Sequence, residues 1–326
     1  DVVVSGSDMR RVLHIGPCDT PGGMAKVINI LAEHPPEGWK SEMISSHSGL
    51  GVFRKILVWR KARVFLKENK NKFDIVHIHS AAGFSYRRKL NLAKLANKLG
   101  IPTIIHIHSG QFDKMAEQRK NIKKELLAFK VVVLNKYWKD RLQPIIGKCS
   151  VVSNPIDPKI EIGDFEKRKT KQLLLLGRSD PVKGHDFAFK IAREIRNNGW
   201  ELFATGTKHC EEGITGLGWI SEERKYQLLK DSTALLIPSQ FEGQPMVMYE
   251  AIKSGCQVIA SQNINEIPDC IYSAPYNDLQ SWIEIIEQIE PLRENNISEL
   301  HSIDLINKKW SELYSKTITD YNSSNV

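Results

Sequence analysis

The 326-residue chain carries 46 Lys/Arg against 38 Asp/Glu, a formal net charge of +8, and 41% of its residues are hydrophobic. This balance excludes an intrinsically disordered chain, and at about 150 residues per domain the length predicts two domains. No apolar run reaches the roughly 18 residues that span a bilayer, which excludes a membrane-spanning helix.

The chain opens with residues 1–8, which precede the first methionine and lack the basic and apolar regions of a signal peptide. We interpret them as a cloning remnant. The apolar run at residues 12–15 predicts a strand, "GPCDTPGG" a loop, and the apolar spacing from Met24 to Leu31 a helix. Gly22 and Gly23 open this helix, either because a tight turn needs glycine or because their backbone amides receive an anion.

The basic excess lies in the first half of the chain. Residues 1–165 hold 28 Lys/Arg and 15 Asp/Glu, net +13, whereas the remainder holds 18 and 23, net −5. The excess is densest at residues 53–72, where cations alternate with Ile56, Leu57, Trp59, Val64 and Phe65. This segment is either a helix on an anionic membrane surface or an ordinary solvated helix face. The chain has no zinc finger, helix-turn-helix or RNA-binding aromatic signature, so we expect no nucleic-acid partner.

Further β-rich segments follow, separated by helical patterns, at residues 73–79, 103–108, 131–134 and 150–154. Strands that alternate with helices predict a parallel sheet covered on both faces. His77 and His79 end the first segment, and His106 and His108 end the second. Period-two spacing places both members of each pair on one face of the sheet. Each pair is either hydrogen-bonded and structural or part of an active site.

A charged stretch, residues 158–172, interrupts this alternation and is interpreted as a linker. The alternation restarts with strands at "LLLLGR", "ELFATG", "ALLIPS" and "QVIAS" and helices near residues 186–198, 221–231 and 281–289. The first of these strands ends at Arg178, and Lys183 follows on a glycine-flanked loop. The two cations either bind a diphosphate or are solvated surface residues.

Residues 239–261, "SQFEGQPMVMYEAIKSGCQVIAS", place Glu242 before a helix and Glu250 inside it. Pro245 and Gly255 fit the start and the end of this helix. The two carboxylates either accept hydrogen bonds from sugar hydroxyls or serve as a helix cap and a surface residue. The chain ends with an amphipathic pattern that predicts a docked helix at residues 303–321.

In this order the motifs resemble those of the family 4 glycosyltransferases, which are retaining enzymes. The most specific motif is E-x7-E, from Glu242 to Glu250, and "GRSDPVKG", "VVSNPID", "DIVHIHS", "HIHSGQF" and the early Gly-Gly support it. The resemblance covers essentially the whole chain after residue 8. The chain departs from the family at Met24, where a smaller residue is commoner, at Gln244, where an aromatic residue is frequent, and at Pro155, which replaces a glycine.

The resemblance implies an α/β architecture of GT-B fold, with two Rossmann-like, doubly wound parallel-sheet domains that face a central cleft. The acceptor-side domain would comprise residues 9–158, with the C-terminal helix 303–321 packed back on it. The nucleotide-sugar-binding domain would comprise residues 170–302.

The resemblance also implies roles for individual residues. Arg178 and Lys183 would neutralise the diphosphate of the donor, Glu242 would contact its sugar, and Glu250 would hold its ribose. His108 fits the active-site histidine, with His106 as the competing assignment. The remaining residues of the implied donor site are Gly22, Gly23, Gly243, Gln244, Pro245 and Met246.

We therefore expect a retaining hexosyltransferase that moves a sugar from a nucleotide-diphosphate donor, a UDP-sugar, to a glycan or lipid-linked acceptor in cell-surface polysaccharide synthesis. The alternatives are a noncatalytic GT-B module and another nucleotide-sugar enzyme, such as an epimerase. The five cysteines are scattered without a CxxC pair, so we expect reduced thiols and no metal or other cofactor. The expected location is the cytoplasm, with peripheral contact between residues 53–72 and the inner face of the membrane.

Overall fold

The computed structural model describes residues 9–20, 22–47, 51–289, 292 and 301–324. The interpretation of residues 1–8 as a cloning remnant lies outside this part of the chain. The described residues fall into two compact units: unit 1 runs up to Pro155 and resumes at His301, and unit 2 begins at Ile156. Among the described helices, none combines the length and the apolar character needed to cross a bilayer.

Unit 1 alternates strands and helices, as its sequence predicts. Its strands are β1 (Arg10–Gly16), β2 (Trp39–Ser45), β3 (Ile75–Ser80), β4 (Thr103–Ile107), β5 (Lys130–Val133) and β6 (Cys149–Val151). Its helices are α1 (Gly23–Glu33), α2 (Val52–Glu68), α3 (Phe84–Lys98), α4 (Phe112–Glu117), α5 (Ile122–Leu126), α6 (Lys136–Ile146) and, at the end of the chain, α11 (Ile303–Ser324).

The six described strands of unit 1 form one parallel sheet in the order β2-β1-β3-β4-β5-β6. Strands β3 and β4 are buried along their whole length, because helices cover both faces of such a sheet. The sequence did not predict β2, an edge strand in which most side chains are only partly buried. Since all strands are parallel, the loops that follow them lie along one edge, where ligands bind in doubly wound sheets.

The C-terminal helix α11 confirms the predicted helix and belongs to unit 1. Trp310 and Tyr314 are fully buried, and the Tyr314 hydroxyl lies 2.8 Å from Nδ1 of His77 on β3. Asn307 donates a hydrogen bond of 2.9 Å to the carbonyl of His34. The apolar side of the helix therefore covers the histidines of the sheet.

Unit 2 repeats this alternation. Its strands are β7 (Gln172–Leu175), β8 (Glu201–Thr205), β9 (Cys210–Glu211), β10 (Ile214–Gly218), β11 (Ala234–Ile237), β12 (Gln257–Ser261) and β13 (Tyr272–Ala274). Its helices are α7 (His185–Ile195), α8 (Glu222–Asp231), α9 (Met246–Lys253) and α10 (Leu279–Gln288). The strand order is β13-β12-β11-β7-β8-β10-β9, and β9 runs antiparallel to β10. The short strands β9, β10 and β13 were not predicted, because none of them forms a continuous apolar run.

The stretch at residues 158–172 is not a free linker, in contrast to the prediction from its charge. Arg168 is 7% exposed, and its guanidinium donates hydrogen bonds to the carbonyls of Leu229, Ser232 and Ser254. These carbonyls lie at the ends of α8 and α9, where the last turn of a helix leaves acceptors unsatisfied. The hydrogen bonds of Arg168 therefore hold this stretch against the rest of unit 2.

Candidate functional site

The loop after β1 leads into α1 through Gly22 and Gly23. Gly22 has φ +146°, a conformation that favours glycine, so the turn itself explains this residue. Apart from chain neighbours and the backbone of the helix, no described atom lies within 4 Å of a Cβ built on either glycine, and both residues are exposed. The start of α1 is therefore open to an anion.

Histidines from three strands form one cluster in unit 1. His14 on β1 stands opposite His77 on β3, and His79 on β3 stands opposite His106 on β4. These four side chains are at most 1% exposed, and the rings of His77 and His79 stack with centroids 4.1 Å apart. The sequence predicted the pairs on β3 and β4 but missed His14, which joins them only because β1 lies beside β3.

The histidine cluster contains a hydrogen-bonded chain of three rings. Nδ1 of His14 lies 3.1 Å from Nε2 of His79, and Nδ1 of His79 lies 3.0 Å from Nε2 of His108. Burial lowers the pKa of both His14 and His108 to about 3, so the rings are neutral at neutral pH. A neutral imidazole donates through one nitrogen and accepts through the other, so the tautomers of the three rings depend on one another.

The two candidate active-site histidines differ in access. His106 is 1% exposed and its ring meets that of Trp310 edge-on, 5.1 Å away. His108 follows the end of β4, is only partly buried, and donates its backbone N–H to the carbonyl of Ser80. A ligand at the edge of the sheet would therefore reach His108 before His106.

Two trios of histidines in the described part of the chain bring three ring nitrogens within 4.8 Å of one another. They are His14, His77 and His79, and His79, His106 and His108. Imidazole is a ligand of zinc, copper and nickel, so this spacing is compatible with a metal ion. The hydrogen bonds between the rings already pair several of these nitrogens.

In unit 2 the loop after β7 carries the predicted cations. Gly184 has φ +73°, and a Cβ there would lie 2.3 Å from the carbonyl oxygen of Pro238, so only glycine fits. This close approach brings Nζ of Lys183 to 2.5 Å from Oε1 of Glu242 in the loop after β11. Ser239 donates a hydrogen bond of 2.8 Å to the same carboxylate oxygen. The fold thus joins two predicted site residues that are 59 positions apart.

Two further predicted site residues of unit 2, Glu250 and Arg178, differ in environment. Glu250 on α9 is 1% exposed, and Nζ of Lys225 lies 2.9 Å from its Oε2. Lys225, on α8, was not predicted and also pairs with Glu222 at 2.8 Å. Arg178 is exposed and makes no hydrogen bond or ion pair with the described residues. Glu250 is therefore an internal carboxylate with a counter-ion, not a surface residue.

The residues between the two glutamates comprise the end of a loop and the first residues of α9. Pro245 is the residue before the helix, and Met246, its first residue, is 8% exposed. Gly243 and Gln244 are partly buried in the loop. Met246 is thus largely withdrawn from solvent, whereas Gly243 and Gln244 keep accessible surface.

The sequence analysis also missed Lys89 on α3, which is 2% exposed. The spacing of its apolar neighbours along the helix could have revealed that this lysine is buried. Tyr86, Ala93 and Ala96 lie three, four and seven positions away and are buried on the same face of the helix. A lysine in phase with apolar residues is rare, because burying an ammonium group without a partner is costly.

Two family profiles match the chain. The family described as "Glycosyltransferase Family 4" matches residues 30–160, and the family described as "Glycosyl transferases group 1" matches residues 170–289. The first match falls in unit 1 except for its last residues, and the second falls in unit 2. Both units therefore carry glycosyltransferase sequence.

Similar proteins agree with these matches. A Klebsiella pneumoniae protein named "Uncharacterized 41.2 kDa protein in cps region" is 26% identical over 92% of each chain. The Escherichia coli "UDP-Gal:alpha-D-GlcNAc-diphosphoundecaprenol alpha-1,3-galactosyltransferase" is 25% identical over 70% of this chain and 69% of its own. The solved structure of a sucrose-phosphate synthase from Thermosynechococcus elongatus covers 95% of this chain and 100% of its own, with a TM-score of 0.72 and 14% identity. Taken with the two parallel α/β units, these matches show that the chain belongs to the family 4 glycosyltransferases and has their GT-B fold.

Proposed function

We propose that this glycosyltransferase is a retaining enzyme that moves a sugar from a UDP-sugar to a lipid-linked glycan in bacterial cell-surface polysaccharide synthesis. The observation that carries the proposal is the contact between Lys183 and Glu242, which brings a cation and a carboxylate together on the loops after β7 and β11. These are the loops where a doubly wound sheet binds its ligand. The name of the Escherichia coli relative supports a UDP-sugar donor and a diphosphate-linked acceptor.

In this proposal the donor is held by charge and by hydroxyl contacts. Lys183 and the exposed Arg178 neutralise the diphosphate, Arg178 through its planar fork and Lys183 as a point charge. Glu242 accepts hydrogen bonds from the transferred sugar, and Glu250 accepts them from the ribose. Backbone amides from Gly243 onwards complete the site.

The reaction needs no nucleophile from the protein. The bond between the anomeric carbon and the diphosphate oxygen breaks, the acceptor hydroxyl oxygen forms its bond on the same face, and a diphosphate oxygen takes the hydroxyl proton. Charge accumulates on the leaving diphosphate, so stabilising this group is the largest contribution available to the enzyme. Because Arg178 and Lys183 supply positive charge there, we propose that transfer proceeds without a metal ion. In unit 1 we propose His108 as the active-site histidine, because it is only partly buried whereas His106 is 1% exposed.

Glu250→Gln is expected to weaken UDP binding by about 10- to 100-fold, because a carboxylate accepts stronger hydrogen bonds from ribose hydroxyls than an amide does. The amide keeps the shape of the side chain, and Lys225 retains its pair with Glu222. Isothermal titration calorimetry with UDP measures the change. Glu194→Gln, an exposed glutamate on α7, is the matched control and should bind UDP like the wild type.

An unchanged affinity in Glu250→Gln would refute the ribose assignment. Wild-type protein that binds no UDP would favour a noncatalytic module. Product formed from the UDP-sugar without an acceptor would favour an epimerase.

We also propose that α2 contacts the membrane that holds the lipid-linked acceptor. Phe53 is 86% exposed and Leu57 is 55% exposed, and Arg54 and Arg60 are exposed cations on the same helix. The double variant Phe53→Ser and Leu57→Ser is expected to reduce binding to phosphatidylglycerol vesicles by roughly 10- to 100-fold, since each side chain loses apolar burial. Co-sedimentation measures the binding, and Leu127→Ser, at another exposed leucine, is the control. Equal sedimentation of the double variant and the wild type would contradict this contact.

A further inference from the structure

Unit 1 contains a buried lysine that no carboxylate of the described residues neutralises. Lys89 is 2% exposed, and its Nζ donates a hydrogen bond of 2.8 Å to Oγ of Ser85 and lies 4.0 Å from Sδ of Met24. A hydroxyl and a thioether do not balance an ammonium charge, and buried lysines in proteins are usually paired with an anion. No carboxylate of the described residues therefore supplies an anion for this lysine.

Two further cationic or protonatable groups lie beside Lys89. Nη2 of Arg88 lies 3.5 Å from Nδ1 of His47, in the loop after β2. Nε of Arg88 is buried, and no described residue accepts a hydrogen bond from it. The guanidinium thus has an unused donor in addition to its charge.

These groups repel one another. Burial, together with the charge of Arg88, lowers the pKa of Lys89 to about 7. Burial also lowers the pKa of His47, as do the charges of Arg88, Lys55 and Lys89. The positive potential at this place is therefore not balanced by the described protein groups.

The cluster of Lys89, Arg88 and His47 lies at the edge of the sheet where ligands are expected. Met24 follows β1, His47 follows β2, and Lys89 lies on the helix after β3. Nζ of Lys89 lies 4.0 Å from Sδ of Met24, in the first turn of the helix that follows β1. These positions all border the carboxyl ends of parallel strands.

We propose that Lys89, Arg88 and His47 form a binding site for a phosphate group in unit 1. The fork of Arg88 and the compact charge of Lys89 suit phosphate oxygens, and a phosphate supplies the negative charge that the cluster lacks. The group belongs either to the donor diphosphate or to a diphosphate on the acceptor. Assigning it to one of these substrates rests on the proposed function, whereas the anion site itself does not.

The test is calorimetric titration with three probes: inorganic pyrophosphate, UDP and geranyl diphosphate. Pyrophosphate is titrated in a background that carries both Lys183→Ala and Arg178→Ala, so that the two unit 2 cations do not contribute. Lys89→Met is expected to weaken pyrophosphate binding at least 10-fold and to leave the melting temperature without ligand equal or higher, because it removes a buried charge. Arg88→Gln should also weaken binding. Arg87→Met is the matched control, since Arg87 is exposed on the same helix and its guanidinium lies over the Phe84 ring, 5.7 Å from its centroid.

The other two probes identify the source of the phosphate. Weaker UDP binding in Lys89→Met assigns the site to the donor, and weaker geranyl diphosphate binding alone assigns it to a prenyl-diphosphate acceptor. Unchanged affinity of Lys89→Met and Arg88→Gln for all three probes would overturn the site, as would a lower melting temperature without loss of affinity. A wild type that binds pyrophosphate through Lys89 but no UDP would refute the proposed function and leave the phosphate site standing.

Discussion

Lys183→Ala is expected to lower kcat/KM for sugar transfer by about 100- to 1000-fold, the usual effect of removing one contact that stabilises charge in a transition state. Lys183 is the cation that the fold holds beside Glu242, on a turn that Gly184 makes possible. As the diphosphate leaves the anomeric carbon, its charge would draw Nζ from the carboxylate towards the phosphate oxygens. Steady-state kinetics with a UDP-sugar and a lipid-linked acceptor measure the change.

The control for this prediction separates catalysis from folding. Lys190→Ala removes an exposed lysine from α7 in the same unit and should retain wild-type turnover. The competing explanation is that Lys183 only neutralises Glu242. In that case the double variant Lys183→Ala and Glu242→Gln would recover activity, because no carboxylate charge would remain to be neutralised. Recovery, or wild-type turnover in Lys183→Ala, would refute the assignment to the diphosphate.

Unit 1 is expected to lose stability steeply as the pH falls below about 6.5. Burial lowers the pKa of His14 to about 3 and holds the pKa of His77, His79 and His106 well below 6.5. Below pH 6.5 the unfolded chain binds protons that the folded chain does not, so the free energy of unfolding falls with pH. The stabilisation that the neutral rings contribute is fully present above pH 6.5. Below pH 6.5 it declines by about 1.4 kcal/mol per pH unit for each histidine. Four buried rings thus remove up to about 5.6 kcal/mol per pH unit, against a total stability of about 5–15 kcal/mol.

Urea unfolding followed by circular dichroism between pH 7.5 and 5 measures this loss, in a window above the titration of most carboxylates. His14→Gln removes one titrating ring and should reduce the slope by about 1.4 kcal/mol per pH unit. His209→Gln, which removes a half-exposed histidine of unit 2 outside the cluster, is the matched control. A free energy of unfolding that stays constant from pH 7.5 to 5 would contradict the neutral state of the cluster.

Much of the fold follows from local patterns in the chain. The apolar runs predicted β1, β3, β4, β5 and β7, because interior strands of a parallel sheet are buried on both faces. The edge strand β2 and the short strands β9, β10 and β13 lack such a run, so periodicity did not find them. The charged stretch around Arg168 was taken for a linker because composition does not show which carbonyls a guanidinium will meet.

The sequence by itself determined the residue types and their order: two α/β halves, cations after β7, and glutamates at 242 and 250 around the start of α9. Only the tertiary structure decided which of these groups meet. It brought Lys183 to Glu242, paired Glu250 with Lys225, and placed His14 against His79. It also enclosed Lys89 without a described counter-ion. The reason is that helix and strand periods report the faces of single elements, whereas ion pairs and buried charges depend on which distant elements pack together.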